Sequence, residues 1–207
     1  MTGLFITFEG GEGAGKTTQI RLLAEKLRQD GRDVLTTREP GGTPEAEKIR
    51  DLLVQREGGN WDPLSECLLF FTARRMHVET LIKPALAAGK TVISDRFTDS
   101  TVAYQGYGHG FDLSLIARVR DLSIGNFQPQ ITFLLDLPVE VGLSRSKGRL
   151  SASGSAEDKF ENLDIDFHQR LRRGFLEISA NDPQRCHVID ASESIETVAN
   201  NIWNIMR

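Results

Sequence analysis

Phe8-Glu9-Gly10-Gly11-Glu12-Gly13-Ala14-Gly15-Lys16-Thr17-Thr18 is the stretch whose reading decides the fold. Its centre, Gly10 to Thr17, fits G-x-x-x-x-G-K-[ST] without a gap. An apolar run, Leu4 to Phe8, precedes it, and a helical pattern from Ile20 to Leu27 follows. Strand, glycine-rich loop and helix in that order make a phosphate cradle. Glycines let backbone N–H groups crowd around phosphate oxygens, and the helix turns its positive end on the same anion. Gly10, Gly11, Glu12, Gly13, Ala14, Gly15, Lys16, Thr17 and Thr18 are therefore the expected triphosphate-binding residues. Lys16 would reach the β- and γ-phosphates, and the Thr17 hydroxyl would hold Mg²⁺. The plainer alternative is a glycine-rich turn that only links strand to helix. A dinucleotide fingerprint fits worse, because G-x-G-x-x-G read from Gly11 or Gly13 puts Lys16 or Thr18 at the third glycine.

Working outward, the 207 residues read as one domain, 1–207, large enough for a good core. Composition is that of a soluble globular protein, 39% hydrophobic and 26% charged. A net charge of −4 argues against a general nucleic-acid binder, though not against a local basic pocket for phosphates. Cys67 and Cys186 are too few for a disulfide framework and lack metal-ligand spacing, so a reduced, cytoplasmic setting is expected. No stretch approaches the length of a membrane span, and the N-terminus has no signal-peptide pattern.

Strand patterns recur at Leu4–Phe8, Val34–Thr37, Thr91–Ser94, Ile131–Leu137 and Cys186–Ile189, with helical patterns between them. This alternation predicts an α/β fold: a five-stranded parallel sheet with helices on both faces. Pro84 is expected to kink the helical run after His77 or to start a new helix. Lys147 to Ser155, rich in Lys, Arg, Gly and Ser, is expected to be a mobile loop, with a lid at approximately 146–160.

Ligands of open α/β sheets bind at the carboxyl ends of strands. Three charged sets lie there: Glu9 through Thr17, Arg38-Glu39 and Asp95-Arg96. Asp95, closing a strand, is well placed to hold Mg²⁺ directly or through water, and Arg96 could grip a second phosphate group bidentately. The plainer reading of this pair is a helix cap beside a surface charge.

These residues, with Thr37–Thr43, Phe71–Arg75, Ile82–Leu86, Ser94–Phe97 and Ser100–Gly106, resemble the bacterial thymidylate kinases, a family of P-loop nucleoside monophosphate kinases. The resemblance implies transfer of the γ-phosphoryl group of Mg·ATP to dTMP, giving dTDP and ADP. It implies that Glu12 lies near the acceptor deoxyribose and that Arg38 and Arg96 flank the dTMP phosphate. Glu39 would lie near the metal and phosphates, with Arg50 a weaker phosphate contact. Phe71 would stack on thymine, Arg75 would donate to its O4 edge, and Thr101 and Gln105 would contact the base. Tyr104 would pack against the sugar. A helix beginning near Ser100 would align these residues, with Ser100 capping it and touching phosphate. Adenine would lie near Arg145 and Asp190-Ala191-Ser192. A homodimer is also implied, with helices such as Pro63–Phe71 available for it.

The family divides by whether its catalytic arginine sits in the P-loop or the lid. The loop here has none, so the lid should supply the charge, with Arg145, Lys147 and Arg149 as candidates. Where the bacterial lid usually carries Asp-Arg, this chain has Asp158-Lys159-Phe160-Glu161. Arg149 and Lys159 acting together is the favoured reading; solvated lid charges are the alternative. Three rivals stand beside this reading: a kinase for another acceptor, a GTP-dependent switch and a non-catalytic P-loop protein. The switch would need an Asn-Lys-x-Asp motif after a late strand, which the chain lacks.

Overall fold

The computed structural model describes residues 3–54, 59–153 and 163–207. Among them, β1 (Phe5–Glu9), β2 (Val34–Arg38), β3 (Thr91–Asp95), β4 (Ile131–Asp136) and β5 (Cys186–Asp190) form one parallel sheet in the order β2-β3-β1-β4-β5. The central strand β1 is buried at every position, as a strand covered on both faces must be. Its side chains alternate between the two faces. Ile6 and Phe8 pack under α1 (Lys16–Gln29) and α9 (Ile195–Met206), against Leu23, Leu27, Val198 and Ile202. Phe5 points the other way, into Val78, Ile82, Val92 and Phe97. Thr7 and Glu9 share the face of Phe5, and that parity carries Glu9 into the functional site.

The register sets the rim of the site. Phe8 lies beside Asp95 and Arg38 beside Asp95, so β1, β2 and β3 end together. The chain leaves β1 for the far edge at β2 and returns through β3, while β4 and β5 fill the other side. The crevice outside the carboxyl end of β1 is the place such a reversal opens for a ligand.

α2 (Pro44–Val54) and α3 (Pro63–His77) follow β2. α3 starts on Asp62, whose side chain accepts from the backbone N–H groups of Leu64 and Ser65. It runs through a π-helical turn, Val78–Ile82, into the short α4 (Lys83–Ala87), with Pro84 in the first turn of α4. The expected disturbance at Pro84 is thus a widened turn just ahead of a residue that has no N–H to give. α5 (Thr98–Thr101) continues as a second π-helical segment, Val102–Gly108. α6 (Leu113–Ser123), α7 (Val139–Ser153) and α8 (Ile165–Asn181) complete the helical layers.

Two expectations are corrected here. Lys147 to Ser153 is helical, the end of α7, and not loop. Arg, Lys, Leu, Ala and Ser all sit in a helix at little cost, and Gly148 alone does not break a run already propagating from Val139. The helix near Ser100 starts earlier, at Thr98, and no side chain caps it; Ser100 turns its hydroxyl inward to Glu9. Lys159 lies outside the described residues, as does the side chain of Arg149.

Candidate active site

The loop after β1 is shaped by contact as well as conformation. Gly13 has φ +68°, and a Cβ there would meet the Gly142 carbonyl oxygen at 2.1 Å. The loop therefore lies backbone to backbone against the first turn of α7. Lys16, 8% exposed, curls back over the loop and donates from Nζ to the carbonyls of Gly10 and Gly11, both at 3.0 Å. Burial pulls its pKa below the usual lysine value, and the neighbouring Arg96 pulls it further, against Asp95, Glu12 and Glu9. Thr17 Oγ1 donates to Asp95 Oδ2 at 3.4 Å, so both residues expected to hold a metal share one spot. Their oxygen donors suit a hard divalent cation. Among the described residues no cluster of three or more His, Cys, Asp or Glu could hold a metal ion by itself.

Arg96 is the hub. It is the only non-glycine residue with positive φ among those described, at +69°. Its Nη1 donates to Gly10 O at 3.1 Å and Ser100 Oγ at 3.2 Å. Its Nη2 donates to Glu12 Oε1 at 2.8 Å and the Tyr104 hydroxyl at 2.9 Å. The Tyr104 hydroxyl in turn donates to Glu12 at 2.5 Å. One guanidinium thus ties the phosphate loop to the segment from Ser100 to Tyr104. Burial works against its charge, but Tyr104, Glu12, Asp95 and Glu9 together hold its pKa above the ordinary arginine value. Burial likewise pushes the Tyr104 phenol well above its usual range, so it acts as a neutral donor.

Glu9 stands beneath this hub, 1% exposed. It accepts from the Phe97 N–H at 2.7 Å and the Ser100 hydroxyl at 2.5 Å. Burial, then the charge of Asp99, pushes its pKa from 4.5 to about 7, against the Ser100 bond, Arg96 and the Phe97 N–H.

A second network lies beside the first. Glu39, 4% exposed, accepts from Arg74 Nε at 2.7 Å and pairs with His77 Nδ1 at 2.9 Å. His77 Nε2 meets Thr37 Oγ1 at 2.7 Å. Arg74 Nη2 donates to the Phe97 carbonyl at 3.0 Å and Thr101 Oγ1 at 3.1 Å, while its buried Nη1 has no hydrogen-bond partner. Gln105 donates to buried Glu66 at 2.9 Å.

Several expected residues have other partners. Phe71 is 1% exposed and packs with Cys67 and Ile116. Arg75 is exposed and donates to the Ser123 carbonyl of α6 at 2.6 Å. Arg74, not Arg75, is the arginine of α3 that joins Glu39 and Thr101. Phe70, half-buried and one turn before Arg74, shares its side of the helix. Arg38 pairs with Glu47 at 2.9 Å, away from Arg96, and both side chains are exposed. Arg50 donates to the Pro40 carbonyl at 2.8 Å. Arg145 does reach the segment expected near adenine, donating to the Ala191 carbonyl at 3.3 Å. Glu9, Arg74 and His77 were missed as site residues. Strand parity in β1 would have turned Glu9 toward the crevice; nothing local distinguishes Arg74 from Arg75.

Known proteins resemble this chain over nearly its whole length. The Thymidylate kinase family model matches residues 8–202. The chain belongs to the thymidylate kinase family. Thymidylate kinase from Caulobacter vibrioides is 50% identical over 204 residues, 99% of this chain and 96% of that protein. The Geotalea uraniireducens enzyme is 48% identical over 195 residues, covering 94% and 92%. The crystal structure of thymidylate kinase from Ehrlichia chaffeensis superposes with a TM-score of 0.80 at 40% identity, over 100% of this chain and 99% of the other. The fold is therefore that of the P-loop kinases, as expected from the alternation of elements. The protein phosphorylates dTMP to dTDP, with ATP as co-substrate. No helix among the described residues is long and apolar enough to cross a membrane.

Proposed function

We propose that the transfer runs across the Arg96 hub, with the ATP phosphates on the loop from Gly10 to Thr18 and the dTMP phosphate on Arg96. The observation that carries this reading is that one guanidinium bonds both the loop, through Gly10 and Glu12, and the segment of Ser100 and Tyr104. The acceptor phosphate oxygen attacks the γ-phosphorus directly, so alignment and charge neutralisation are the protein's task. Lys16 and Arg96 exchange their carbonyl and carboxylate partners for phosphate oxygens. Glu12 and Tyr104 then face the deoxyribose.

Mg²⁺ would be held by Thr17 and Asp95, with phosphate oxygens completing its shell, and would draw charge off the β- and γ-phosphates. Glu39 acts through Arg74 and His77, which occupy both its oxygens, rather than through the metal. Arg38 becomes a phosphate ligand only by leaving Glu47. Arg149 and Lys159 supply the charge that closes over the transferring group; this rests on the sequence, since the P-loop carries no arginine. Arg145 and the Ala191 segment serve adenine.

The base reading shifts by one residue. Arg75 is committed to Ser123, whereas Arg74 has a buried donor left over on the guanidinium that bonds Thr101. Phe70 and Arg74 therefore take the roles that the resemblance implies for Phe71 and Arg75. Arg74→Gln should raise the dTMP KM at least roughly tenfold, with the ATP KM little changed, and Arg75→Gln should leave both near wild type. The reverse pattern in steady-state kinetics would return the base to Arg75.

A cytoplasmic homodimer completes the reading. Both cysteines are buried and free. Leu64 and Leu68 on α3, with Leu113 and Leu122 on α6, are large exposed apolar side chains on helices that pack together.

A further inference from the structure

The transfer as described leaves one buried carboxylate of the crevice without a part. Glu9 ends β1, and its two bonds both fall on the segment just after Arg96: one to the backbone N–H of Phe97, the next residue, the other to the hydroxyl of Ser100, four residues on. Arg96 itself holds the left-handed backbone conformation, at φ +69°. A non-glycine residue keeps such a conformation only where its surroundings impose it. The Phe97 N–H fixed on Glu9 is one such restraint; the Arg96 N–H donating to the Phe8 carbonyl at 2.9 Å is another.

The hydroxyl of Ser100 gives the second bond a direction. Its proton goes to Glu9 at 2.5 Å, so its lone pairs are what remain for Arg96 Nη1 at 3.2 Å. In its ionised form the carboxylate can only accept, which enforces this orientation. The neighbouring Asp99 is no substitute, because Arg185 holds both its oxygens, at 2.6 and 3.3 Å.

We propose that Glu9 is a positioning residue for phosphoryl transfer: it pins the Arg96 backbone through Phe97 and, by taking the Ser100 proton, makes Ser100 an acceptor that aims the Arg96 guanidinium at the dTMP phosphate. This rests on the reading of Arg96 as the acceptor-phosphate residue.

Glu9→Gln tests the directional part. The amide oxygen still accepts from the Phe97 N–H, but the amide nitrogen donates to Ser100 and turns the hydroxyl proton toward Arg96. kcat/KM for dTMP should fall roughly tenfold to a hundredfold with the ATP KM held within about twofold, since the loss is one of acceptor alignment. Ser100→Ala should fall similarly, and the double variant should be no worse than Ser100→Ala alone, because both act through one hydroxyl. Costs that multiply in the double variant would overturn the proposal, as would wild-type kcat/KM for dTMP in Ser100→Ala. That second measurement leaves the Phe97 clamp intact and decides the matter even if Glu9→Gln does not fold. Arg96→Ala is the companion control. If it stays active, the reading of Arg96 fails; if it is dead while Glu9→Gln and Ser100→Ala match wild type, only the role of Glu9 falls.

Discussion

Glu9 also makes a prediction about stability that does not depend on catalysis. In the folded protein its carboxyl titrates at about 7, against an ordinary value of 4.5, with burial the largest cause. Between these values the folded state binds the proton and the unfolded chain has lost it. Stability therefore falls as pH rises through that window, and stays lower above it. At about 1.4 kcal/mol per pH unit over a window of about 2.5 units, the loss is about 3 kcal/mol by pH 8. The side chain is 1% exposed, so solvent screening does little to reduce this figure. Glu9→Gln carries the shape of the protonated acid and cannot ionise. Relative to wild type it should gain about 2–3 kcal/mol between pH 5 and pH 8, widening the Tm difference by roughly 4–12 °C in a chain of this size. Urea unfolding of both proteins at four pH values, followed by far-UV circular dichroism and tryptophan fluorescence, measures it. A stability difference that is flat across pH 5 to 8, or that moves toward wild type, refutes the assignment of a buried, hard-to-ionise carboxylate at this position.

Two other expectations follow from the site and the surface. Arg149→Ala and Lys159→Ala should each lower kcat by roughly tenfold or more with little change in dTMP KM, because their charge matters in the transition state; wild-type kcat in both variants ends the lid assignment. Leu64→Glu with Leu68→Glu should convert a dimer to a monomer by light scattering on a sizing column, since charge on an apolar interface core is costly to bury; an unchanged mass removes the α3 face as the interface.

Much of the fold could be read directly. Strand, glycine loop and helix in a single run, and four later strands separated by helical patterns, are local signals, and the sheet contains all five. The meeting of Thr17 and Asp95 could also be read, since they end adjacent parallel strand–loop units and lie 3.4 Å apart. What failed was information that lives in packing. Arg74 and Arg75 are neighbours on a helix, about 100° apart around its axis. Only the positions of Glu39 on one side and Ser123 on the other decide which faces the crevice. The end of α7 misled for the opposite reason. Its Lys, Gly and Ser content suggested a loop, yet none of these residues is a strong helix breaker within an established helix. Glu9 was read as part of a charged set without a role, because its partners Phe97 and Ser100 lie 88 and 91 residues away.

The position of the two cations explains how one crevice serves two anionic substrates. Lys16 Nζ and Arg96 Nη1 both donate to the same atom, Gly10 O, at 3.0 and 3.1 Å. Two positive charges that share an acceptor repel each other, which is why Arg96 depresses the Lys16 pKa. Glu12, Tyr104, Asp95 and the carbonyls of Gly10 and Gly11 offset that repulsion in the free protein. Phosphates are better partners for both, and each arriving phosphate relieves the strain felt by the other cation. If Lys16 meets the ATP phosphates and Arg96 the dTMP phosphate, as proposed, donor and acceptor binding are coupled through Gly10: filling the ATP side would draw Lys16 off the shared carbonyl and leave Arg96 better held for dTMP. The coupling is reciprocal by thermodynamic necessity, so dTMP must tighten ATP by the same factor.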